Sequence, residues 1–348
     1  MQKVIIVGAG LSGVCLAHHF MERGLEVVLY DNGINHSSKI AAGMINPLVF
    51  RRMTKSWRVD DFLPYAKKYY NSLENQFQKK VFHPIVIRRF FSSEQERNFW
   101  IKRQNDDAFK NYMYPLEDND AAIHPYANLY GSGRVKNAAF IDTETYLEVS
   151  KKQLQHEIDY RLETFNYSEL DPEKGDYCNE KFDLLVFAEG YLGVANPWFN
   201  SLELTQTKGE TLTIQLETLE TEESLNRKCF LLPLSSKTFK VGSNYSWNDP
   251  TTMITEEAKK EILDNFKFLI PETPLILSQN AGVRPTTKDR RPFIGVHPEF
   301  NKLAIFNGLG AKGYLIAPLL VKEFVEHLLD RKPIDYECQI NHRLNRKI

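Results

Sequence analysis

The strongest constraint on the fold lies in the first 31 residues. An apolar run of β-forming residues, Lys3–Val7 (KVIIV), is followed at once by the glycine-rich hexapeptide GAGLSG at residues 8–13. This pattern predicts a strand buried on both faces, then a tight turn and a helix over residues 11–23. A second apolar strand is predicted at Glu26–Tyr30 (EVVLY), closed by Asp31. This order of elements predicts a dinucleotide-binding βαβ unit: a strand, a glycine turn, a helix, a second strand and a terminal acid.

The three glycines of the turn have separate predicted roles. Gly8 allows the tight turn, Gly10 lets a pyrophosphate approach the backbone, and Gly13 lets the helix pack closely on the strand. The helix N-terminus would offer N–H groups and a partial positive charge to the diphosphate. Asp31, eighteen residues after Gly13, is placed to accept hydrogen bonds from an adenosine ribose. This stretch does not distinguish FAD from NAD.

Composition and charge exclude several classes of protein. The chain has 348 residues, enough for two domains, with 42% hydrophobic and 26% charged residues, as in ordinary folded proteins. The formal net charge of −1 gives no bulk electrostatic argument for binding nucleic acid or an anionic membrane. An apolar run of about 18 residues, which a membrane span needs, is not found. Because the first strand begins at Lys3, we expect no signal peptide.

Cysteine and histidine usage adds two further expectations. The four cysteines are scattered without a CxxC pair, which favours a reducing, cytoplasmic setting. The nine histidines show no ligand-like spacing with each other or with cysteine, so no metal site is expected.

The pattern of predicted strands changes in the middle of the chain. Residues 182–188 (FDLLVFA) predict another buried strand, whereas alternating strands are predicted at residues 210–216, residues 229–233 and Thr238–Gly242. The expected fold class is α/β, a nucleotide-binding domain interrupted by an antiparallel-sheet domain, with the ligand between them. The predicted nucleotide-binding domain comprises residues 1–80, 140–205 and 282–348, and the predicted substrate domain comprises residues 81–139 and 206–281.

Two stretches near the first βαβ unit allow more than one interpretation. Small residues at 41–44 (AAGM) suit a backbone that lies against a flat or charged group, but they also suit a helix start packed on the sheet. A basic patch follows, formed by Arg51, Arg52, Lys55 and Arg58. It is either a solvated face or a surface that meets the substrate.

The carboxyl-terminal third carries the most specific motif. GVRPTTKDRRPFIG at residues 282–295 is followed by an apolar strand, Leu303–Asn307, and by GLGAKGY at residues 308–314. With GAGLSG, AAGM, AEG at 188–190 and KGE at 208–210, this motif resembles the D-amino-acid oxidase superfamily of FAD-dependent oxidoreductases, and most of all its glycine oxidases. The resemblance runs from residue 3 to about residue 329. The chain is also similar to the flavin domain of the bifunctional tRNA wobble-uridine modification enzyme.

The resemblance implies an FAD-binding Rossmann-like domain with an inserted antiparallel-sheet substrate domain. It also implies non-covalent FAD, because relatives that attach flavin through a cysteine of the late motif have that cysteine near Val283. The implied cofactor-binding residues are Gly8, Ala9, Gly10, Leu11, Ser12, Gly13, Asp31, Asn32, Ala41, Ala42, Gly43, Met44, Phe165, Ala188, Glu189, Gly190, Gly308, Leu309, Gly310, Ala311, Lys312, Gly313 and Tyr314.

A helix beginning at Gly313 would direct its positive end at the flavin and stabilise the negative charge of the reduced form. Lys312 either adds a full positive charge there or is a surface lysine.

Three residues are implied in catalysis. Arg284 matches the motif arginine that binds the substrate carboxylate in glycine and D-amino-acid oxidases, through two parallel hydrogen bonds; the alternative is a structural ion pair. Lys240 aligns with a lysine that sarcosine-oxidase-like relatives use to activate oxygen and that glycine oxidases lack. Tyr245, with Trp247, would form an aromatic wall over a bound amine, or else belong to the core.

The predicted function is FAD-dependent oxidation of an amino acid or a carboxylate-bearing secondary amine, by hydride transfer to flavin N5. Oxygen or another acceptor would reoxidise the flavin, and no acid–base pair is required if the amine is neutral. Three alternatives remain at this point: an FAD-dependent oxidase of a modified tRNA wobble base, an NAD-dependent dehydrogenase, and a flavin-binding protein without turnover.

Overall fold

The computed structural model describes residues 1–34, 37–116, 128–247 and 249–344. Helices and strands alternate through the first third of the chain, and strands dominate the middle. The helices are α1 Leu11–Glu22, α2 Ser37–Ile40, α3 Val59–Phe77, α4 Glu94–Gln104, α5 Thr143–Glu157, α6 Glu256–Phe266, α7 Gly313–Asp330 and α8 Asn341–Leu344. Across the described part of the chain, none of them is both long and apolar enough to span a bilayer.

The strands are numbered in chain order. They are β1 Lys3–Val7, β2 Glu26–Tyr30, β3 Met44–Ile45, β4 Leu48–Val49, β5 Thr54–Lys55, β6 Phe82–Phe90, β7 Ser132–Ile141, β8 Asp159–Arg161, β9 Leu170–Asp171, β10 Asp176–Tyr177, β11 Glu180–Lys181, β12 Leu184–Phe187, β13 Leu204–Gln215, β14 Ser224–Asn226, β15 Phe230–Pro233, β16 Thr238–Gly242, β17 Leu275–Thr287, β18 Phe293–Val296 and β19 Leu303–Asn307.

A six-stranded sheet in the order β18-β19-β12-β1-β2-β8 forms the first layer. Its strands are parallel except for the edge strand β18, and Ile5 at the centre pairs with Leu185 on one side and Val28 on the other. Alternate side chains enter two different cores, one with α1, α3, α5 and α7 and one rich in aromatic rings. Burial on both faces explains the continuous apolar runs of the sequence. The predicted β1, α1 and β2 are confirmed.

An eight-stranded sheet in the order β17-β13-β16-β15-β14-β6-β7-β3 forms the second layer. The predicted antiparallel pairing holds except between β14 and β6, which run parallel. The chain between these two strands passes through the six-stranded sheet, so no hairpin imposes opposite directions on them. Strands β13 and β17 cross the predicted domain boundaries at 205/206 and 281/282, and the division into domains stays a prediction.

The glycine turn after β1 is fixed by close backbone contacts. Gly8 adopts φ +104°, and a Cβ atom there would lie 2.6 Å from the Ala188 carbonyl oxygen. A Cβ atom at Gly13 would lie 1.8 Å from the Gly8 carbonyl oxygen. The missing side chains therefore let α1 and the end of β12 approach the turn.

Replacing Gly13 by alanine is expected to destabilise the protein. The methyl group would force α1 away from β1, and overpacking of this kind costs about 1–3 kcal/mol. The melting temperature measured by calorimetry should fall. Gly24→Asn is the control, because a Cβ atom at Gly24 (φ +74°) would meet no non-neighbouring atom within 4 Å and asparagine tolerates this conformation. A Gly13→Ala protein that melts with the wild type would contradict the close packing of α1 on β1.

Candidate active site

A cavity of about 590 Å³ lies between the two sheets. Its lining includes the residues that follow the carboxyl ends of the parallel strands, where α/β sheets bind ligands. It brings together the glycine turns at the two ends of the chain, and a Cβ atom at Gly313 would lie 3.0 Å from Leu11 Cδ2. All of the cofactor-binding residues inferred from the sequence line the cavity except Gly13, Gly308 and Lys312.

The first helix presents an uncapped N-terminus to this cavity. Gly10 is the N-cap residue of α1 and supplies no side-chain hydrogen bond, and the first turn contains no acid. Ser38 accepts a hydrogen bond from the Leu11 N–H at 3.1 Å. A helix end of this kind suits a diphosphate, because it offers backbone N–H groups and a partial positive charge.

Asp31 ends β2 as a buried acceptor. Its Oδ2 atom accepts hydrogen bonds from Lys151 Nζ at 2.6 Å and from the Tyr160 hydroxyl, and Oδ1 accepts from the Gly33 N–H at 3.0 Å. Burial alone would raise the pKa of Asp31, but the bonds from Lys151 and Tyr160 hold it below its ordinary value. An ionised acceptor at this position suits the ribose hydroxyls of a dinucleotide.

The segment after β12 is held at the cavity wall. Burial raises the pKa of Glu189, whose carboxyl group accepts hydrogen bonds from the Tyr167 hydroxyl and from Asn196 Nδ2 at 2.8 Å. Asn307 Nδ2 donates to the Gly190 carbonyl oxygen at 2.8 Å. These three bonds fix residues 189 and 190 beside the turn that follows β19.

The second glycine turn brings another helix N-terminus to the cavity. α7 begins at Gly313 without a side-chain cap and without an acid in its first turn. The Lys312 side chain leaves this turn: its ammonium group donates to the Asn46 carbonyl oxygen at 2.9 Å and to the Ser56 hydroxyl. Burial lowers the pKa of Lys312 to about 8. The ammonium is therefore not at the surface, and its predicted action on the flavin stays a prediction.

Arg284 lines the cavity from β17 of the eight-stranded sheet. Its guanidinium group extends across Gly209 of β13, where a Cβ atom would lie 2.1 Å from Nη2. Nη2 donates to the Ser243 hydroxyl at 2.8 Å, and the Tyr245 ring centre lies 4.6 Å from Cζ. Nη1 is buried and has no hydrogen-bond partner in the described structure. Burial lowers the pKa of Arg284, although a guanidinium stays charged in proteins.

The structural ion pair considered for Arg284 is not observed. In the parts of the chain that the structure describes, no carboxylate pairs with its guanidinium group, whose hydrogen-bond partner is the Ser243 hydroxyl. The core alternative for Tyr245 and Trp247 is wrong, because these side chains are 54% and 62% exposed. Tyr245 lines the cavity, whereas Trp247 does not.

Lys240 is not among the residues that line the cavity. Strand alternation places it on the same face of β16 as Gly242, which does line it. Burial lowers the pKa of Lys240, and the charges of Glu144 and Asp142 oppose this effect. Its predicted action on oxygen stays a prediction.

The basic patch lies away from the cavity. Arg58 pairs with Glu323 and Asp335, and Lys55 pairs with Asp60. Arg51 and Arg52 are exposed, and none of the four basic residues lines the cavity. The patch therefore does not contact a ligand bound there.

Three residues of the site could not be found from the sequence alone. Gly209 belongs to the KGE motif, whose sequence does not show what its glycine is for. Ser243 follows the predicted strand β16 directly, and only its contact with Arg284 reveals its importance. Lys151 is 120 residues from Asp31 in the chain, so no local pattern links the two.

Comparisons with known proteins agree with this geometry. The family model described as "FAD dependent oxidoreductase" (DAO) matches residues 3–327. The chain is 22% identical to glycine oxidase from Bacillus subtilis (strain 168), over 99% of this chain and 97% of that protein. The crystal structure of glycine oxidase from Geobacillus kaustophilus has a TM-score of 0.80 at 17% identity, covering 96% of each chain.

A longer relative matches only in part. The tRNA 5-methylaminomethyl-2-thiouridine biosynthesis bifunctional protein MnmC from Campylobacter jejuni subsp. doylei is 20% identical over 84% of this chain. The alignment spans 46% of the length of that protein. The family match covers almost the whole chain, and the cavity offers the two helix ends and the acidic acceptor that a flavin dinucleotide needs. The chain therefore belongs to the DAO family of FAD-dependent oxidoreductases and is an FAD-binding enzyme.

Proposed function

We propose that this enzyme oxidises a small amino acid, or a secondary amine that carries a carboxylate. The observation that carries the proposal is Arg284, a half-buried cation that lines the cavity from β17 and whose Nη1 atom is buried without a protein partner in the described structure. Burying an unsatisfied donor costs about 1–3 kcal/mol, so a substrate carboxylate would relieve a cost that the free protein carries.

The residues around the cavity suggest how FAD would be held, without a covalent bond. Asp31 would accept hydrogen bonds from the adenosine ribose, and the N-terminus of α1 would face the diphosphate. Residues 41–44 and 309–314 would contact the flavin. When bound, FAD supplies the acceptor for the hydride removed from the α-carbon of the substrate.

Arg284 would fix the position of that α-carbon. Nη1 and Nη2 of one guanidinium group can donate two parallel hydrogen bonds to a carboxylate. Ser243 already orients Nη2 at 2.8 Å, and the bare backbone of Gly209 leaves room for the group to lie flat. A carboxylate held in this way has little freedom to rotate, which keeps the reacting carbon in one place.

The remaining lining residues would exclude water rather than exchange protons. The carboxyl groups that line the cavity belong to Asp31, Glu163 and Glu189, which all follow strands of the six-stranded sheet. None of the cavity-lining residues described on the eight-stranded sheet is an acid. The amine would therefore enter in its neutral form and need no protein base at the substrate end.

The tRNA-base alternative has weaker support. Arg58 and Lys55 of the basic patch are engaged in ion pairs, and the patch lies off the cavity. A cytoplasmic setting is our proposal from cysteine usage, and Cys15, Cys178, Cys229 and Cys338 are all free thiols in the structure.

Arg284→Met is expected to raise KM for the best amine at least about 30-fold, because truncating one partner of a buried charge pair costs about 2 kcal/mol or more. Loss of flavin absorbance under anaerobic conditions, with a panel of amino acids and N-methyl amines, measures the effect. FAD content should not change. Lys288→Met is the control, since Lys288 is an exposed residue of the same motif. An Arg284→Met enzyme with wild-type KM would remove Arg284 from the substrate site.

Two substitutions of Tyr245 should distinguish the contribution of its ring to substrate binding from that of its hydroxyl group. Tyr245→Phe keeps the ring over the guanidinium group, and KM should stay within about twofold of wild type because the cation–π contact is preserved. Tyr245→Ala loses the ring, and KM should rise about fivefold, corresponding to about 1 kcal/mol. Steady-state kinetics with the same amine decide between them. Equal damage by both substitutions would mean that the hydroxyl group, not the ring, acts.

A further inference from the structure

Two charged residues are completely buried behind the substrate end of the cavity. The side chains of Lys208 and Glu210 on β13 are each 1% exposed. Gly209 between them lines the cavity, and because side chains alternate along a strand, Lys208 and Glu210 point to the reverse face of the sheet. Lysine is almost never fully buried unless it is paired. The proposed reaction uses neither residue.

The Lys208 ammonium group is directed at a residue beyond β16. Nζ lies 2.6 Å from Asp249 Oδ2 and 3.5 Å from Glu210 Oε1. Glu210 has other partners, because it accepts hydrogen bonds from the Thr255 N–H at 3.1 Å and from Gln279 Nε2 at 2.7 Å. Asp249 is therefore the closer anionic partner of Lys208.

Residues 243–247, which follow β16 directly, include the groups that contact Arg284. We call these five residues the clamp loop. Its backbone pairs with β13: the Lys208 N–H donates to the Ser246 carbonyl oxygen at 2.9 Å, and the Ser246 N–H donates to the Lys208 carbonyl oxygen at 3.0 Å. Asn244 Oδ1 accepts from the Glu210 N–H at 2.7 Å.

Alternate residues of the clamp loop thus face different partners. Asn244 and Ser246 bond to β13, whereas Ser243 and Tyr245 contact the guanidinium group of Arg284. A shift of the loop along β13 would separate Ser243 from Nη2. The position of the loop therefore determines how Arg284 is presented to a carboxylate.

We infer that the Lys208–Asp249 ion pair is a positioning device that holds the chain just beyond the clamp loop against β13 and thereby sets the affinity of Arg284 for a carboxylate. This inference rests on the proposed function. An ion pair whose lysine is buried adds little net stability, because desolvation of the ammonium group offsets the attraction, but it can select one arrangement of the chain.

The charge on Asp249 is expected to keep the Lys208–Asp249 ion pair formed at neutral pH. Hydrogen bonds from Lys208 and Thr251 lower the pKa of Asp249 to about 2. Asp249 therefore stays ionised at neutral pH, and the ion pair does not open with ordinary changes of pH. The Asp249 side chain is also 33% exposed, so replacing it should not leave a cavity in the core.

Asp249→Ala tests the inference in the FAD-loaded enzyme. Lys208 keeps Glu210 as an anion within reach, so the variant should fold. If the loop occupies its binding position for only about a tenth of the time, the apparent Kd for a carboxylate rises about tenfold. Acetate, titrated against the flavin absorbance, is the probe. With the best amine, KM should rise by the same factor and kcat should change less than about twofold, as expected when ground-state and transition-state binding weaken equally.

A second measurement follows the opening of the clamp loop directly. Amide hydrogen exchange at Ser246 should become faster in Asp249→Ala, both with FAD and in the apoprotein, because its N–H bond to Lys208 opens more often. Asp249→Glu restores the carboxylate and should recover most of the acetate affinity. Asp264→Ala is the matched control, since it removes a 2.8 Å contact with Lys267 on the surface of α6 and should change neither measurement.

The outcomes separate this inference from the proposed function. Faster exchange at Ser246 with unchanged acetate affinity would overturn the inference, and so would an equal loss of affinity in Asp264→Ala. A large fall in kcat at constant KM would also contradict it, because positioning of the carboxylate clamp acts on binding. Wild-type enzyme that neither binds acetate nor is reduced by any amine of the panel would instead overturn the proposed function, and the inference with it.

Discussion

The contact between the two glycine turns is the constraint on which the site depends. Leu11 and Gly313 meet so closely that a side chain on Gly313 would reach Leu11 Cδ2 at 3.0 Å. As a result, α1 and α7 both present N-termini to one cavity although they stand at opposite ends of the chain. Under the proposed arrangement of FAD, these two positive helix ends would stabilise negative charge on the diphosphate and on the reduced flavin. The buried core that α1 shares with α7 maintains this arrangement.

The two faces of the eight-stranded sheet have different roles. On the cavity face of β13, Gly209 gives Arg284 space, whereas the Lys208 side chain on the reverse face pairs with Asp249, just beyond the clamp loop. A strand allows this because successive side chains point in opposite directions. The sheet is consequently both the wall of the site and the support that orients its arginine.

Elements with local causes could be predicted from the sequence, and contacts between distant residues could not. β1, α1 and β2 follow from patterns within thirty-one residues, and the motif at residues 282–295 identified Arg284 as the substrate residue to test. The bond from Lys151 to Asp31 joins residues 120 positions apart, and no periodicity encodes it. The orientation of Lys312 was equally inaccessible, because it depends on acceptors supplied by Asn46 and Ser56 after folding.

The placement of charge in the cavity supports the proposal of an amine substrate that carries a carboxylate. Acids line the dinucleotide end, where Asp31 is held ionised by Lys151, and the substrate end presents the Arg284 guanidinium without a carboxylate partner in the described structure. A built-in acid beside Arg284 would lower the cost of burying it but would compete with the substrate. Leaving Nη1 unsatisfied places about 1–3 kcal/mol of desolvation cost in the free protein, which the proposed carboxylate binding would remove. Under the proposed function, the same unsatisfied donor would both weaken the empty enzyme and select the ligand.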